Sequence, residues 1–300
     1  MNRITLGTAQ FGFDYGINNQ RGKVPIDDVF KILDVAAQAG VNTLDTAALY
    51  GESEAVIGKY IKANKKYFSI ISKAGNVSAT EVKAIIQTSL DTLGVDSFYG
   101  YLIHNYQYHI DNPGLWPQLV ELRKLGRIKK IGLSIYSPDE LDVLLEQGIN
   151  LDIVQVPYSV FDQRFGPYFE KLHGLGIEIN VRSVFLQGIA FRNQAEFTGP
   201  LIAIKDKVEE LSRLSTQEHI SKVALCINFV LLNKYVDKVI IGVDSLNNFQ
   251  EIRQSIGDLE KIEKLNLSFV AFQHERVDLI YQHLIDIYKE KLGMATKVGN

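Results

Sequence analysis

The chain has 300 residues, 46% of them hydrophobic and 22% charged, with 32 basic against 35 acidic side chains. That composition belongs to a globular protein with a large core, and a net charge of −3 lacks the basic excess of a nucleic-acid binder. The chain shows no apolar run of about 18 residues for a membrane span and no signal-like start, and its one cysteine, Cys226, excludes an internal disulfide framework. A cytoplasmic protein is expected.

Short apolar runs alternate with longer segments of helical period along the whole chain. The strand-like runs are ITLG (4–7), NTLD (42–45), FSIISK (68–73), SFYGYLIH (97–104), KKIGLS (129–134), DIVQV (152–156), EINVRS (178–183) and KVIIG (238–242). Pro25 opens the first helix, whose apolar face is Val29, Phe30, Leu33, Ala36 and Ala37, and Gly40 closes it. Ser78 with Glu81, and Ser137 with Glu140, have the spacing of capping boxes, with stops at Gly94 and Gly148. VALCINFVLL reads as an apolar helix that buries Cys226. FVAFQHERVDLIYQHLIDIYKEKL reads as a further amphipathic helix, about 270–292, suited to covering a barrel end or a partner surface.

Ile- and Val-rich strands joined through helices imply a parallel sheet buried on both faces. Eight units fit a single-domain (β/α)8 barrel spanning 1–300 with a C-terminal helical extension. A doubly wound sheet is the rival, but LGTAQFG after the first strand is not its Gly-rich phosphate turn. In such a barrel the chemistry sits at the carboxyl ends of the strands. Strand 2 ends in Asp45 with Tyr50 in the following loop, strand 3 ends in Lys73 and strand 4 in His104. A phenol has an ordinary pKa near 10 and needs help to move a proton near neutrality. Lys73 can lower it, Asp45 can balance Lys73, and His104 can orient a carbonyl oxygen. Each of these residues taken alone has an ordinary structural role; their joint placement points to carbonyl reduction.

LGTAQFG, LDTAALYGESEAVIG, ISKAG, YLIHN, IGLSIYS, DIVQVPYSVFDQR, VRSVFLQG and VIIGVDSLNNFQE follow one another in an order that resembles the aldo-keto reductases over essentially the whole chain. The opening GTAQFGFDYGINNQRG resembles a bacterial subgroup associated with surface-polysaccharide biosynthesis. The resemblance implies a barrel that binds NADPH, or less often NADH, and reduces aldehydes, ketones or sugars, or runs the reverse oxidation. It implies that Tyr50 is the general acid, tuned by Lys73 and Asp45, with His104 orienting the carbonyl. It places Ser134 and Gln155 at the nicotinamide carboxamide, and Ser183, Phe185 and Gln187 along the pyrophosphate. Gly242, Asp244 and Asn248 fall at the adenosine end. The chain departs from the family pattern with Ile135 after Ser134. It also lacks a Lys or Arg at Gly242 and Asn248, where many members clamp a 2′-phosphate; Arg253 is the nearest substitute.

The partner expected is a small carbonyl compound, with no nucleic acid or membrane and with the oligomeric state open. Tyr106, Tyr108, His109 and Trp116 after strand 4 suit either a sugar platform or loop packing. A cofactor-sensing barrel with slow turnover is the alternative reading. A metal-dependent barrel is a weaker one, since only one His falls at a strand end; no metal site is expected.

Overall fold

The computed structural model describes residues 1–257, 259–265, 267, 271 and 274–291. Eight parallel strands close into a barrel in the order β1 to β8: Ile4–Gly7, Thr43–Asp45, Ser69–Ala74, Phe98–Ile103, Ile128–Ser134, Ile153–Pro157, Glu178–Arg182 and Lys238–Gly242. All eight runs read as strands are strands, and the (β/α)8 architecture is the one observed.

Closure depends on β1 pairing with β8, Ile4 opposite Val239 and Gly7 opposite Gly242. Arg3, just ahead of β1, fastens that seam. Its guanidinium donates to the carbonyls of Leu231, Asn233 and Val236.

Side chains alternate faces along a strand. Two-residue steps therefore put Ile71 with Lys73, Leu102 with His104, and Ile153 with Gln155. Ile71, Leu102 and Ile153 form a fully buried apolar cluster of their own. The polar residues lie one layer further toward the carboxyl ends. The other strand faces carry residues such as Leu44, Ile70, Tyr101, Ile103 and Val154, which join the large core under the helices.

Helix ends follow local chemistry, with one exception. The first long helix, Ile26–Gln38, begins after Pro25 and buries Val29, Ile32, Leu33 and Ala36. Ser137 and Glu140 form the expected capping box ahead of Pro138–Glu146. Ser78 and Glu81 do not form the reciprocal box. The Glu81 carboxylate accepts from the Ser78 N–H and also captures its hydroxyl, at 3.2 and 2.6 Å, so that hydroxyl is not left to cap the helix. The helix then starts at Val82.

Cys226 is fully buried in Lys222–Leu232, and burial pushes its thiol up to about 12. The C-terminal helix is His274–Lys291; of its expected bounds, 270 and 292 lie outside the described residues. Two exposed ion pairs fasten it, Arg276 to Asp206 and Asp278 to Arg164. No helix among the described residues is long and apolar enough to cross a membrane.

Candidate active site

The backbone around Tyr50 answers why a phenol precedes a glycine there. Gly51 adopts φ +53, and its hydrogen faces the Gly12 carbonyl. A Cβ on Gly12 would stand 1.6 Å from the Tyr50 carbonyl oxygen. The short helix Ala9–Gly12 and the loop after β2 thus touch backbone to backbone, which only glycine permits. Beneath this contact a chain of hydroxyls ties the loops to β2. Ser53 donates to Thr8 at 2.8 Å and lies 3.1 Å from Thr46, while the Thr8 hydroxyl and N–H both donate to the Asp45 carbonyl. Sequence reading missed Thr8, Thr46 and Ser53, whose partners are remote in the chain.

Asp45, Lys73 and Gln155 come from β2, β3 and β6 and meet inside the barrel. Lys73 Nζ donates to Asp45 Oδ1 at 2.5 Å and to the Thr46 carbonyl at 2.9 Å. Gln155 Nε2 donates to Asp45 Oδ2 at 2.7 Å. The side chains of Lys73 and Asp45 are 1% and 4% exposed, so this is a buried ion pair. Such a pair is tolerable only when its remaining donors and acceptors are satisfied, as they are here.

Tyr50 Oη lies 3.5 Å from Lys73 Nζ, and its ring meets His104 edge to face at 5.7 Å. The sequence-expected four therefore stand together. The electrostatics differ from the expectation in one respect. Burial, then the Asp45 charge, holds the Tyr50 phenol well above 10, with Arg182 opposing. Lys73 is spent mainly on Asp45, so the resting phenol keeps its proton. Burial first, then Lys73 and Arg182, holds the His104 imidazole well below 6.5 and therefore neutral. Burial also lowers the Lys73 ammonium, with Asp45 pulling the other way. The 2.5 Å contact with Asp45 keeps Lys73 charged.

A cavity of about 360 Å³ opens over this group. Asp45, Tyr50 and His104 line it, as do Gly242, Asp244 and Asn248. Ser134, Gln155, Ser183, Phe185 and Gln187 line it too. All eight residues expected at the cofactor thus border one continuous cleft. Its middle is shaped by strained backbone: Ser183, Leu186 and Gln187 have φ of 63, 46 and 54°. Left-handed conformations at non-glycine residues cost of order 1 kcal/mol or more each, and they cluster where a loop is shaped for a ligand. A continuous cleft with an amide–hydroxyl wall and a strained loop fits an extended dinucleotide.

Of the two roles open to the aromatic residues after β4, packing is the one observed: Tyr106, Tyr108 and Trp116 pack against the core, His109 is buried beside Trp116, and none of them lines the cavity. The aromatic wall comes instead from Tyr15, Tyr136, Phe191, Tyr281 and Tyr288. Arg253 is exposed on the helix Leu246–Ser255 and does not line the cleft. Arg182, at the end of β7, does line it and was missed, although it immediately precedes Ser183. Among the described residues no group of three or more His, Cys, Asp or Glu could hold a metal ion.

Comparison with known proteins settles the family. The model of the aldo/keto reductase family matches residues 3–266. The chain belongs to the aldo/keto reductase family.

Aldo-keto reductase str7 of Strobilurus tenacellus is 34% identical over 44% of this chain and 50% of its own. L-galactose dehydrogenase of Arabidopsis thaliana is 23% identical over 80% of this chain and 82% of its own. The first curated relatives are matched over about half to two-thirds of their own length. In structure, the chain resembles aldo-keto reductase AKR11C1 from Bacillus halodurans in its holo form, with a TM-score of 0.69, 21% identity, and coverage of 94% and 91% of the two chains.

Proposed function

We propose that this aldo/keto reductase reduces an aldehyde or ketone, among them sugars or sugar derivatives, to an alcohol with NAD(P)H, with Tyr50 as the general acid. The observation that carries this reading is the buried Asp45–Lys73 pair set against a protonated Tyr50 and a neutral His104 at the floor of one cleft.

The dihydronicotinamide, when bound, supplies a hydride to the carbonyl carbon. The protein's part is to hold the substrate oxygen and to give it a proton. A neutral His104 places an N–H or a lone pair beside Tyr50 without adding charge. The Tyr50 hydroxyl donates its proton as negative charge develops on the oxygen, leaving a phenolate beside the Lys73 ammonium. Burial raises the cost of that phenolate, and Lys73 offsets it only when the charge arrives. The Lys73 effect thus acts on the transition state more than on the resting enzyme.

Ser134 and Gln155 would hold the carboxamide; Gln155, by also donating to Asp45, would couple cofactor seating to the ion pair. Ser183, Phe185 and Gln187 would run along the pyrophosphate. Asp244 lines the cleft at the adenosine end; Arg182, the one Lys or Arg among the described residues that lines the cleft, is bonded to Ser134, Ser183 and Ile135 instead. A carboxylate accepts from ribose hydroxyls and repels a 2′-phosphate. NADH is therefore expected to bind at least as well as the NADPH that family habit favours.

Two measurements test the reading. Titration of the protein with NADH and with NADPH should give binding of at least one. Benzaldehyde should then be turned over, followed as loss of cofactor absorbance. Binding with negligible turnover across simple aldehydes would favour a cofactor-sensing barrel, and absence of binding would remove the oxidoreductase reading.

A further inference from the structure

Two arginines at the mouth of the barrel are treated differently. Arg164 has carboxylates on both sides, Asp162 at 3.0 Å and Asp278 at 2.7 Å. Arg182 has none. Its Nε donates to the Ser134 hydroxyl at 3.3 Å, Nη1 to the Ser183 hydroxyl at 3.3 Å and Nη2 to the Ile135 carbonyl at 3.1 Å. These acceptors are neutral, and the bonds are longer than the 2.7–2.9 Å of a charge-assisted pair. A guanidinium has five N–H donors, so donors remain for a ligand. The guanidinium carbon sits 3.9 Å over the Tyr136 ring, which fixes the plane of the fork.

Tyr281 comes from the opposite side of the cleft, on the C-terminal helix. Its ring meets Tyr136 edge to face at 5.4 Å. The residue is 4% exposed and lines the cavity, yet its hydroxyl has no hydrogen-bond partner. A buried hydroxyl left unpaired costs about 1–3 kcal/mol, and a partly buried Arg182 with only neutral acceptors leaves its charge uncompensated. Both groups are oriented by the same aromatic ring and face the same space. Tyr50 and His104 line the same cavity as Arg182 and Tyr281.

We propose that Arg182, with the Tyr281 hydroxyl beside it, receives an anionic group on the substrate, so that the natural substrate is a carbonyl compound bearing a carboxylate or phosphate. This rests on the carbonyl-reductase reading above. A planar oxyanion takes two parallel N–H donors from the guanidinium and a third from the phenol, and it neutralises the charge that the fold leaves bare. The cofactor's own pyrophosphate is the other source of such oxygens, and the experiment separates the two.

The probes are benzaldehyde and 4-carboxybenzaldehyde, which differ by one carboxylate. Wild-type enzyme should show kcat/KM at least about tenfold higher for the charged aldehyde, the worth of one charge-assisted contact. Arg182→Met should lower that ratio at least about tenfold, with Arg182→Lys in between, because it keeps the charge but loses the fork. The dissociation constant of NADH should stay within about threefold in both variants, on the same tenfold-per-1.4 kcal/mol scale. Calorimetric binding of 4-carboxybenzyl alcohol against benzyl alcohol to the cofactor-saturated protein should show the same preference without any turnover.

No preference for the charged member in either assay overturns the proposal. So does a preference that survives Arg182→Met, or an Arg182→Met variant whose main defect is NADH binding, which would give the guanidinium to the cofactor. Turnover of benzaldehyde by the wild type reports on the reductase reading alone, so the two failures are distinct.

Discussion

The two walls of the active-site cleft are built on opposite principles. On the β2–β3–β6 side almost every polar group has a partner: Lys73, Asp45, Gln155 and the Thr46 carbonyl close on one another. On the β7 side, facing the C-terminal helix, Arg182 has only neutral acceptors and Tyr281 has none. A satisfied network fixes geometry before any ligand comes. An unsatisfied one stores binding capacity for a ligand. In the proposed reading, chemistry falls to the first wall and recognition to the second.

The sharpest way to break that division is Tyr50→Phe. It should cut turnover roughly 10²- to 10⁴-fold, while calorimetric cofactor binding stays nearly intact. Retention of most activity would put the acid elsewhere. Lys73→Met attacks the frame rather than the proton. It leaves the Asp45 carboxylate buried and unpaired, and should lower unfolding free energy by about 3–5 kcal/mol in a denaturant titration. A much smaller loss would mean that Asp45 takes up a proton instead.

Gly12→Ala tests the backbone contact that places Tyr50. The new methyl cannot coexist with the Tyr50 carbonyl, 1.6 Å away, so the loop must move. An ångström of displacement is worth about 10²-fold in rate, and kcat should fall by that order with cofactor affinity less affected. Unchanged kinetics would show that the loop does not set the phenol's position.

The pH response sharpens the comparison further. The Tyr50 phenol is held above 10 and the His104 imidazole below 6.5, so neither titrates between those values. The kcat for reduction should be flat across that window; an inflection near neutrality would mean that one of them is ionised at rest. Stability has its own sign. Below 6.5 the unfolded chain protonates this imidazole while the folded one resists, so His104 costs stability as pH falls, at up to about 1.4 kcal/mol per pH unit. Replacing His104 with Asn should flatten the acid side of a melting-temperature profile.

The smallest effect belongs to the other wall. Tyr281→Phe removes a buried hydroxyl that has no partner among the described residues, so the unfolding free energy should rise by about 1 kcal/mol. A loss of stability would reveal a bond made by that hydroxyl in the folded protein.

The barrel and the polar group at the floor of its cleft were legible because both obey short-range rules. Strand runs announce themselves by β-branched content, and a barrel's chemistry falls at strand ends, so Asp45, Lys73 and His104 could be found by position alone. What was not legible depended on distant partners. Arg182 reads as an ordinary cation at a strand end, and its lack of a carboxylate emerges only in three dimensions. The helical period of the last segment was plain, whereas its seat over the cleft was not. The aromatic residues after β4 advertised a platform, but packing against the core claimed them. At Ser78 a two-residue competition for one hydroxyl decided the helix start.

Tyr281, Leu284, Ile285 and Tyr288 all line the cleft, and their spacing is that of one face of a helix. That face belongs to a segment that contributes no strand to the barrel. Evolution, or an engineer, can therefore rewrite one wall of the cleft by changing a single helical stripe, while the pairing that closes the barrel and the ion pair on its floor are inherited intact.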